Sequence, residues 1–230
     1  MHDGIRMEVH MKKVVAFVPV KLNNERLPGK NTKSFDGGKP LIQYILSTLQ
    51  SVTGIDEIYV YCSDASIKEY LPEGVKYLCR DKKLDSSKTL ITEVLQSFAR
   101  DVEAEIYVLA HATAPFLSKK SVEEGLRAVT ELGYDSAATV TPCHDFLWRD
   151  GYPFNYDVKR IPRTQDLDEM FVETTGLYVY GRKLILDDGR RIGDNPYMVK
   201  VGREEAIDIN EPFDFMVANA WFKYRDKKED

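Results

Sequence analysis

Residues 14–18 (VVAFV) form an unbroken apolar run of strand length, the pattern of a strand covered on both faces. Leu41, Ile42, Ile45, Leu46 and Leu49 then recur at helical spacing, with Pro40 suited to the first turn. Residues 58–62 predict a second strand, followed by a short helix from Ser63-Asp64 to about Leu71, and residues 75–79 a third strand. Ser86 or Ser87 is placed to cap a helix whose stripe is Leu90, Ile91, Val94, Leu95 and Phe98. Strands over 106–110 and 136–140 flank a helix capped by Ser118, with Val122, Leu126 and Val129 inward. This alternation predicts an α/β fold with a doubly wound, mostly parallel sheet and right-handed crossovers.

The rhythm breaks over 142–170, where Phe146, Trp148, Tyr152, Phe154 and Tyr156 mix with Pro and charge without a helical period. A stretch of that length without regular structure points to a lid, a binding loop or an oligomer arm, and its aromatics favour a lid or arm over a solvated loop. Strands are expected again over 171–180 and 197–201. A last helix is expected to face inward with Phe213, Val217, Ala220, Trp221 and Tyr224. Residues 11–230 thus read as one domain with an inserted excursion, and residues 1–10, which lack the apolar core of a signal peptide, as an extension ahead of a start at Met11.

The net charge of −5 has its basic residues spread along the chain, which argues against nucleic-acid or membrane-surface partners but leaves room for a local nucleotide pocket. Cys62, Cys79 and Cys143 have no metal-type spacing and read as reduced thiols of a cytoplasmic protein, filling the core at strand ends.

Open α/β sheets bind ligands outside the carboxyl ends of their strands. Those ends offer the 20–31 loop, Ser63-Asp64, Arg80, His111–Thr113, Thr141-Pro142 and Asp208–Asn210. The loop is neither a P-loop nor a G-x-G-x-x-G turn. It brings Lys21, Arg26 and Lys30 around Gly29, cations for a phosphate beside a backbone that permits close approach. A solvated turn is the plainer alternative, and its place after the first strand favours function. Arg80 suits a base, ribose or phosphate, or the surface. His111 suits a general base or a hydrogen bond to a base edge. Asp208 and Asn210, two apart on a short strand, put both polar ends on one face, fit for Mg²⁺ carrying phosphate oxygens; Asn210 serves equally as a helix cap. Asp166-Leu-Asp168 matches the D-x-D of metal-using glycosyltransferases but lies in the excursion, away from any strand end.

Taken together, the chain resembles the acylneuraminate cytidylyltransferases (CMP-sialic acid synthetases) and their deoxy-octulosonate relatives. Their A-R-x-x-S-x-R-x-P-x-K-N is matched by Val20-Lys21, Asn24, Arg26, Pro28, Lys30 and Asn31, their G-G-K-P-L by residues 37–41, their Q-P-T-S-P by residues 111–115 and their I-D-I-D by residues 207–210. The resemblance implies a Rossmann-like nucleotidyltransferase fold and, most concretely, CMP transfer from CTP to a 2-keto sugar acid with release of pyrophosphate. It implies Lys30, Arg26, Lys21 and Asp208 as catalytic groups, and Val20, Asn24, Gly29, Asn31, Arg80, Ser86, His111 and Thr113 against the nucleotide. It further implies Arg149, Arg163, Gln165, Glu173 and Thr174 against the acid, Mg²⁺ on Asp208 and Asn210, and a homodimer built partly by the excursion. Lys21 stands where the family has Arg, Leu22-Asn23 where it has glycines, His111 where it has Gln and Asn210 where it has Asp. The spacing of Gly176-Leu-Tyr178 is nearer the octulosonate branch. A different acid such as a phosphonate, a weakened nucleotide-binding protein, and a glycosyltransferase using Asp166 and Asp168 are the alternatives.

Overall fold

The computed structural model describes residues 13–229. The expected extension over residues 1–10 lies outside them. Nine strands occur in the order β1 Val14–Val20, β2 Glu57–Cys62, β3 Val75–Cys79, β4 Ile106–Ala110, β5 Ser136–Cys143, β6 Trp148–Arg149, β7 Tyr152–Pro153, β8 Met170–Gly181 and β9 Pro196–Lys200. Between and after them run α1 Leu41–Ser51, α2 Ile91–Asp101, α3 Lys119–Thr130, α4 Arg182–Leu186 and α5 Pro212–Glu229. Seven strands make one sheet, ordered β3-β2-β1-β4-β8-β5-β9. Strands β1 to β4 pair in parallel, as do β5 and β9, while β8 runs antiparallel between β4 and β5. The expected mostly parallel sheet is present; the reversal of β8 is new, because an apolar run carries no record of its direction.

Alternation along each strand sorts the core into two layers. Val14, Ala16, Val18 and Val20 meet the apolar stripes of α1 and α3, while Val15 and Phe17 meet α2 and α4. The Phe17 and Phe98 rings stack with centroids 3.9 Å apart. Gly125 lets α3 lie close on the sheet, since a Cβ there would stand 3.2 Å from Leu177. Residues 142–170 hold the β6-β7 hairpin, an isolated bridge between Asp157 and Arg160 and a 3₁₀ turn at Thr164–Asp166 between the end of β5 and the start of β8. No helix among the described residues is long and apolar enough to cross a membrane.

Several local expectations need correction. Neither Ser86 nor Ser87 caps α2: Ser86 closes the 3₁₀ turn Lys82–Asp85, and the cap residue is Leu90, whose N–H donates to Glu93 Oε1 at 2.9 Å. Leu90 therefore lies outside the buried stripe and is exposed. Pro40 is the cap residue of α1, just before its first turn. Cys79 is exposed, unlike Cys62 and Cys143. The inward face of α5 is Phe215, Ala218, Trp221 and Phe222; Phe213, Val217, Ala220 and Tyr224 face outward. Apolar side chains surround this helix, so spacing cannot choose its face. The choice falls to a local aromatic nest in which Phe35 stacks on Phe116 and Phe222.

Candidate active site

Strand β1 ends on the buried Val20, and the chain then turns outward through 21–29. Gly29 at φ +66°, a region glycine enters at little cost, turns the chain into the 3₁₀ turn Lys30–Thr32. Asn31 is buried and its Nδ2 donates to the Lys21 carbonyl at 3.0 Å, stapling the two ends of the loop. Lys30 is thereby aimed inward, donating to the Ile209 carbonyl at 3.1 Å and to Asn210 Oδ1 at 3.3 Å. Arg26 Nη2 reaches the same Asn210 oxygen at 3.1 Å. Burial pulls the Lys30 ammonium below its ordinary pKa, against the opposing pull of Asp208.

The segment opposite is extended but is not a strand, contrary to expectation: Ile209 N–H bonds the Thr113 carbonyl at 2.9 Å, and no ladder forms. Ile209 is fully buried among Leu27, Phe35, Leu41 and Phe116. Its neighbours in an extended chain must point the other way. Asp208 Oδ2 accepts from Asn210 Nδ2 at 2.7 Å and from Thr175 Oγ1 at 3.1 Å. Asn210 does not cap α5 through its side chain; the Asp214 carboxylate takes the N–H groups of Asn210 and Glu211.

Thr175 arrives by a bulge. Strand β8 pairs Tyr178 with Ala138 and then Glu173 with Val140, leaving Thr174–Leu177 to cross a shorter span of β5. Thr139 Oγ1 holds the bulge, bonding Thr174 Oγ1 at 2.7 Å and Leu177 N–H at 3.1 Å. Thr175 sits at φ +58°, unfavourable for a β-branched residue. Bulges next to active sites re-aim side chains, and this one turns a hydroxyl onto Asp208.

These groups border one hollow of about 350 Å³, lined by Pro19, Lys21, Asn24, Lys30, Asn31, Ile91, His111, Ala112, Thr113, Thr175, Arg191, Asp208 and Asn210. A second hollow of about 290 Å³, sharing Lys21, Asn24, Lys30 and Asn210, adds Arg26 and Ser87. Asn24 Oδ1, His111 Nε2 and Asp208 Oδ1 are buried here with no hydrogen-bond partner. Buried polar atoms are ordinarily paired, so three orphans on one hollow point to a ligand that completes them. Burial, with help from Arg191, depresses the His111 imidazole to about 4, so at neutral pH it is uncharged. A larger hollow, about 720 Å³, opens between Lys13, Glu103, Glu105 and Arg182 at the other end of the strands; it borders none of these groups.

Of the residues expected at the site, Lys21, Asn24, Arg26, Lys30, Asn31, His111, Thr113, Asp208 and Asn210 come together. Arg80 does not border either hollow: it is buried, with Nε and Nη2 on Asp85 Oδ1 at 3.1 and 2.6 Å. Ser63 holds the other Asp85 oxygen, so Arg80 braces the 3₁₀ turn that carries Ser86 and Ser87. Ser86 accepts from Lys88 N–H while Ser87 reaches the hollow. Thr174 is turned into the core. Glu173 holds Arg191. Arg149 and Gln165 are exposed on the excursion, Arg149 lying over the Phe154 ring. Arg163 is exposed there too and grips both Asp166 oxygens at 2.6 and 2.9 Å. That grip occupies the first carboxylate of the D-x-D, and no group of three or more His, Cys, Asp or Glu among the described residues is arranged around a metal. Thr175 and Arg191 are site residues that periodicity misses. The first depends on a bulge; the second lies in Gly189-Arg-Arg-Ile-Gly193, where only paired arginines between glycines hint at it.

A cationic cleft at the carboxyl ends of a mostly parallel sheet is the place and the charge that suit a phosphorylated ligand. Comparison with known proteins narrows this: the sequence profile of the cytidylyltransferases matches residues 15–205, and the chain belongs to that family. N-acylneuraminate cytidylyltransferase A of Danio rerio is 24% identical over 215 residues, 89% of this chain and 50% of its own. CMP-N,N'-diacetyllegionaminic acid synthase of Legionella pneumophila is 25% identical over 221 residues, covering 88% of this chain and 93% of the relative. The chain spans about half the length of the Danio rerio proteins it matches. Among solved structures, a CMP:2-keto-3-deoxy-manno-octonic acid synthetase complexed with CTP superposes with a TM-score of 0.71 at 17% identity, covering 93% of this chain and 99% of that one. A 4-diphosphocytidyl-2C-methyl-D-erythritol synthase from Anaerococcus prevotii gives 0.65 at 16% identity, covering 92% and 96%. At such identities the likeness concerns the fold.

Proposed function

We propose that the protein transfers CMP from CTP to a 2-keto sugar acid and releases pyrophosphate. The convergence of Lys21, Arg26 and Lys30 on Asp208 and Asn210 carries this reading. The anomeric hydroxyl oxygen of the acid attacks the α-phosphorus, the bond to the β-phosphate oxygen breaks, and the hydroxyl proton is lost to solvent. Lys30, Lys21 and Arg26 hold the triphosphate and offset the charge that grows on the departing pyrophosphate. Asn24 and the neutral His111 offer hydrogen bonds to the base and sugar, in keeping with their unpartnered atoms.

Mg²⁺ fits this donor set. Asp208 Oδ1 is buried and unpartnered, and Mg²⁺ is commonly held by one or two carboxylates with phosphate oxygens completing its shell. When bound it supplies positive charge to the phosphates. Asp208 would hold it; Asn210 Oδ1 already accepts from Lys30 and Arg26, so Asn210 orients those cations instead. The same occupied oxygen favours a second reading, a nucleotide-binding protein with weakened chemistry, which predicts Mg²⁺-insensitive CTP binding without turnover.

The deciding experiment incubates the protein with CTP, Mg²⁺ and a panel of sugar acids and phosphonates, following pyrophosphate and product mass. Release with a 2-keto acid is expected; no release with any acid and no CTP binding by calorimetry would end the proposal. Lys30→Ala should lower turnover by about a hundredfold at a stability cost of only about 1 kcal/mol. Loss of stability in step with activity would make Lys30 structural.

A further inference from the structure

We infer that Arg191 is the receptor for the acceptor's carboxylate, and that by holding it Arg191 orients the attacking hydroxyl; the inference rests on the functional reading above. Arg191 lines the 350 Å³ hollow with Thr175, Asp208 and His111, but not the adjoining hollow that holds Arg26. Its guanidinium carbon lies 3.7 Å from the centroid of the Tyr178 ring. Nη2 donates to the Tyr178 hydroxyl at 2.9 Å and to Glu173 Oε1 at 3.2 Å, and Tyr178 in turn donates to Glu173. One face and one nitrogen are therefore committed, while Nε and Nη1 have no partner among the described residues. A guanidinium fixed this way keeps the N–H groups of Nε and Nη1 for an anion, and a carboxylate accepts such charge-assisted hydrogen bonds.

The backbone beneath it is equally fixed. Gly193 N–H donates to Ser136 Oγ at 2.9 Å, and the N–H groups of Asp194 and Asn195 both reach Asp135 Oδ2 at 2.7 Å. Arg190 Nη1 closes the turn onto Asp194 Oδ1 at 2.8 Å. The loop from α4 to β9 is thus bound to the foot of β5, a degree of order that a solvated arginine does not require.

Chemistry then selects the ligand. In a 2-keto sugar acid the anomeric carbon bears both the attacking hydroxyl and the carboxylate. A hydroxyl placed against the α-phosphate near Asp208 brings that carboxylate beside a buried like charge, and a cation is needed there. Lys21 and Lys30 line both hollows and Arg26 only the adjoining one, whereas Arg191 is confined to the hollow of Asp208 and Thr175, which assigns it to the acid.

The test compares wild type with Arg191→Gln, which removes the charge, and Arg191→Lys, which keeps the charge and loses the planar guanidinium stacked on Tyr178. The probes are CTP by calorimetry, and N-acetylneuraminate, 3-deoxy-manno-octulosonate, their methyl esters and a phosphonate analogue by pyrophosphate release. Arg191→Gln should leave CTP affinity and melting temperature near wild type, raise the KM for the acid by roughly tenfold or more, and abolish the preference for acid over ester. Arg191→Lys should fall between. An unchanged acid KM and acid-over-ester preference in Arg191→Gln overturns the inference alone, as does loss of CTP affinity in parallel with acid affinity. Turnover of the phosphonate with none of the carboxylates overturns the carboxylate assignment. A wild type that releases no pyrophosphate with any acid fails the functional reading itself, and this shows before any variant is compared.

Discussion

His111 shows how one residue couples the site to the stability of the protein. Its imidazole ordinarily titrates near 6.5 and is held down to about 4, first by burial and then by Arg191. Between those values the unfolded chain binds a proton that the folded chain refuses, so stability rises with pH across that window. Acidification from pH 6.5 to 4 should cost the ligand-free protein on the order of 3 kcal/mol through this residue. Denaturant titrations at several pH values should show that slope, and His111→Gln should flatten it; an unchanged slope in the variant refutes the assignment. At this scale the sequence was informative about residue types and strand ends. Lys21 and Asp208 were legible because each follows an apolar run or interrupts one, and Lys30 because it follows Gly29 in the loop after β1. Thr175 and Arg191 were not, since their roles come from a positive φ and a stacked ring, neither of which leaves a period in the chain. Arg80 illustrates the converse: a cation at a strand end looks alike whether it meets a ligand or, as here, Asp85.

At the scale of elements, the apolar pattern located the strands of the main sheet because each buried strand must be apolar on both faces. It could not locate a cap made by an apolar residue whose backbone N–H bonds Glu93 three positions on, nor choose the face of α5, whose apolar residues encircle it. The loop joining α4 to β9 is the element on which Arg191 depends, and Gly193 is its weakest point. A Cβ there would stand 2.3 Å from the Asp135 carboxyl carbon, so either the loop moves or Asp135 gives up its hold on the Asp194 and Asn195 N–H groups. Gly193→Ala should therefore destabilise the protein by about 1–3 kcal/mol. It should also raise the KM for the acid while leaving CTP affinity intact. A thermal melt and the two titrations check this, and a variant with wild-type values for both would show the loop to be forgiving.

For the whole molecule, the hollow has one side built from residues 19–113 and an opposing wall from residues 175–210. The excursion over 142–170 supplies no residue to the lining of either hollow and leaves Trp148, Tyr152 and Ile161 61%, 75% and 66% exposed. Exposed aromatics on one segment mark an interaction surface more often than a lid resting in solvent, and the reading proposed here is a homodimer formed through it. Light scattering should give twice the chain mass, and Trp148→Glu with Tyr152→Glu should give the chain mass with CTP binding retained; a wild-type monomer would return the segment to the role of a lid.

The reversed strand β8 has one more effect. Because it returns alongside β5, with Met170 paired to Cys143, the excursion leaves and re-enters the sheet through a single zipped doorway. A segment closed at its root in this way is a cassette: its length and composition can change without altering the register of the strands behind it. What lies between residues 144 and 169 can therefore vary while the strand ends that carry Lys30, Thr175 and Asp208 stay in place.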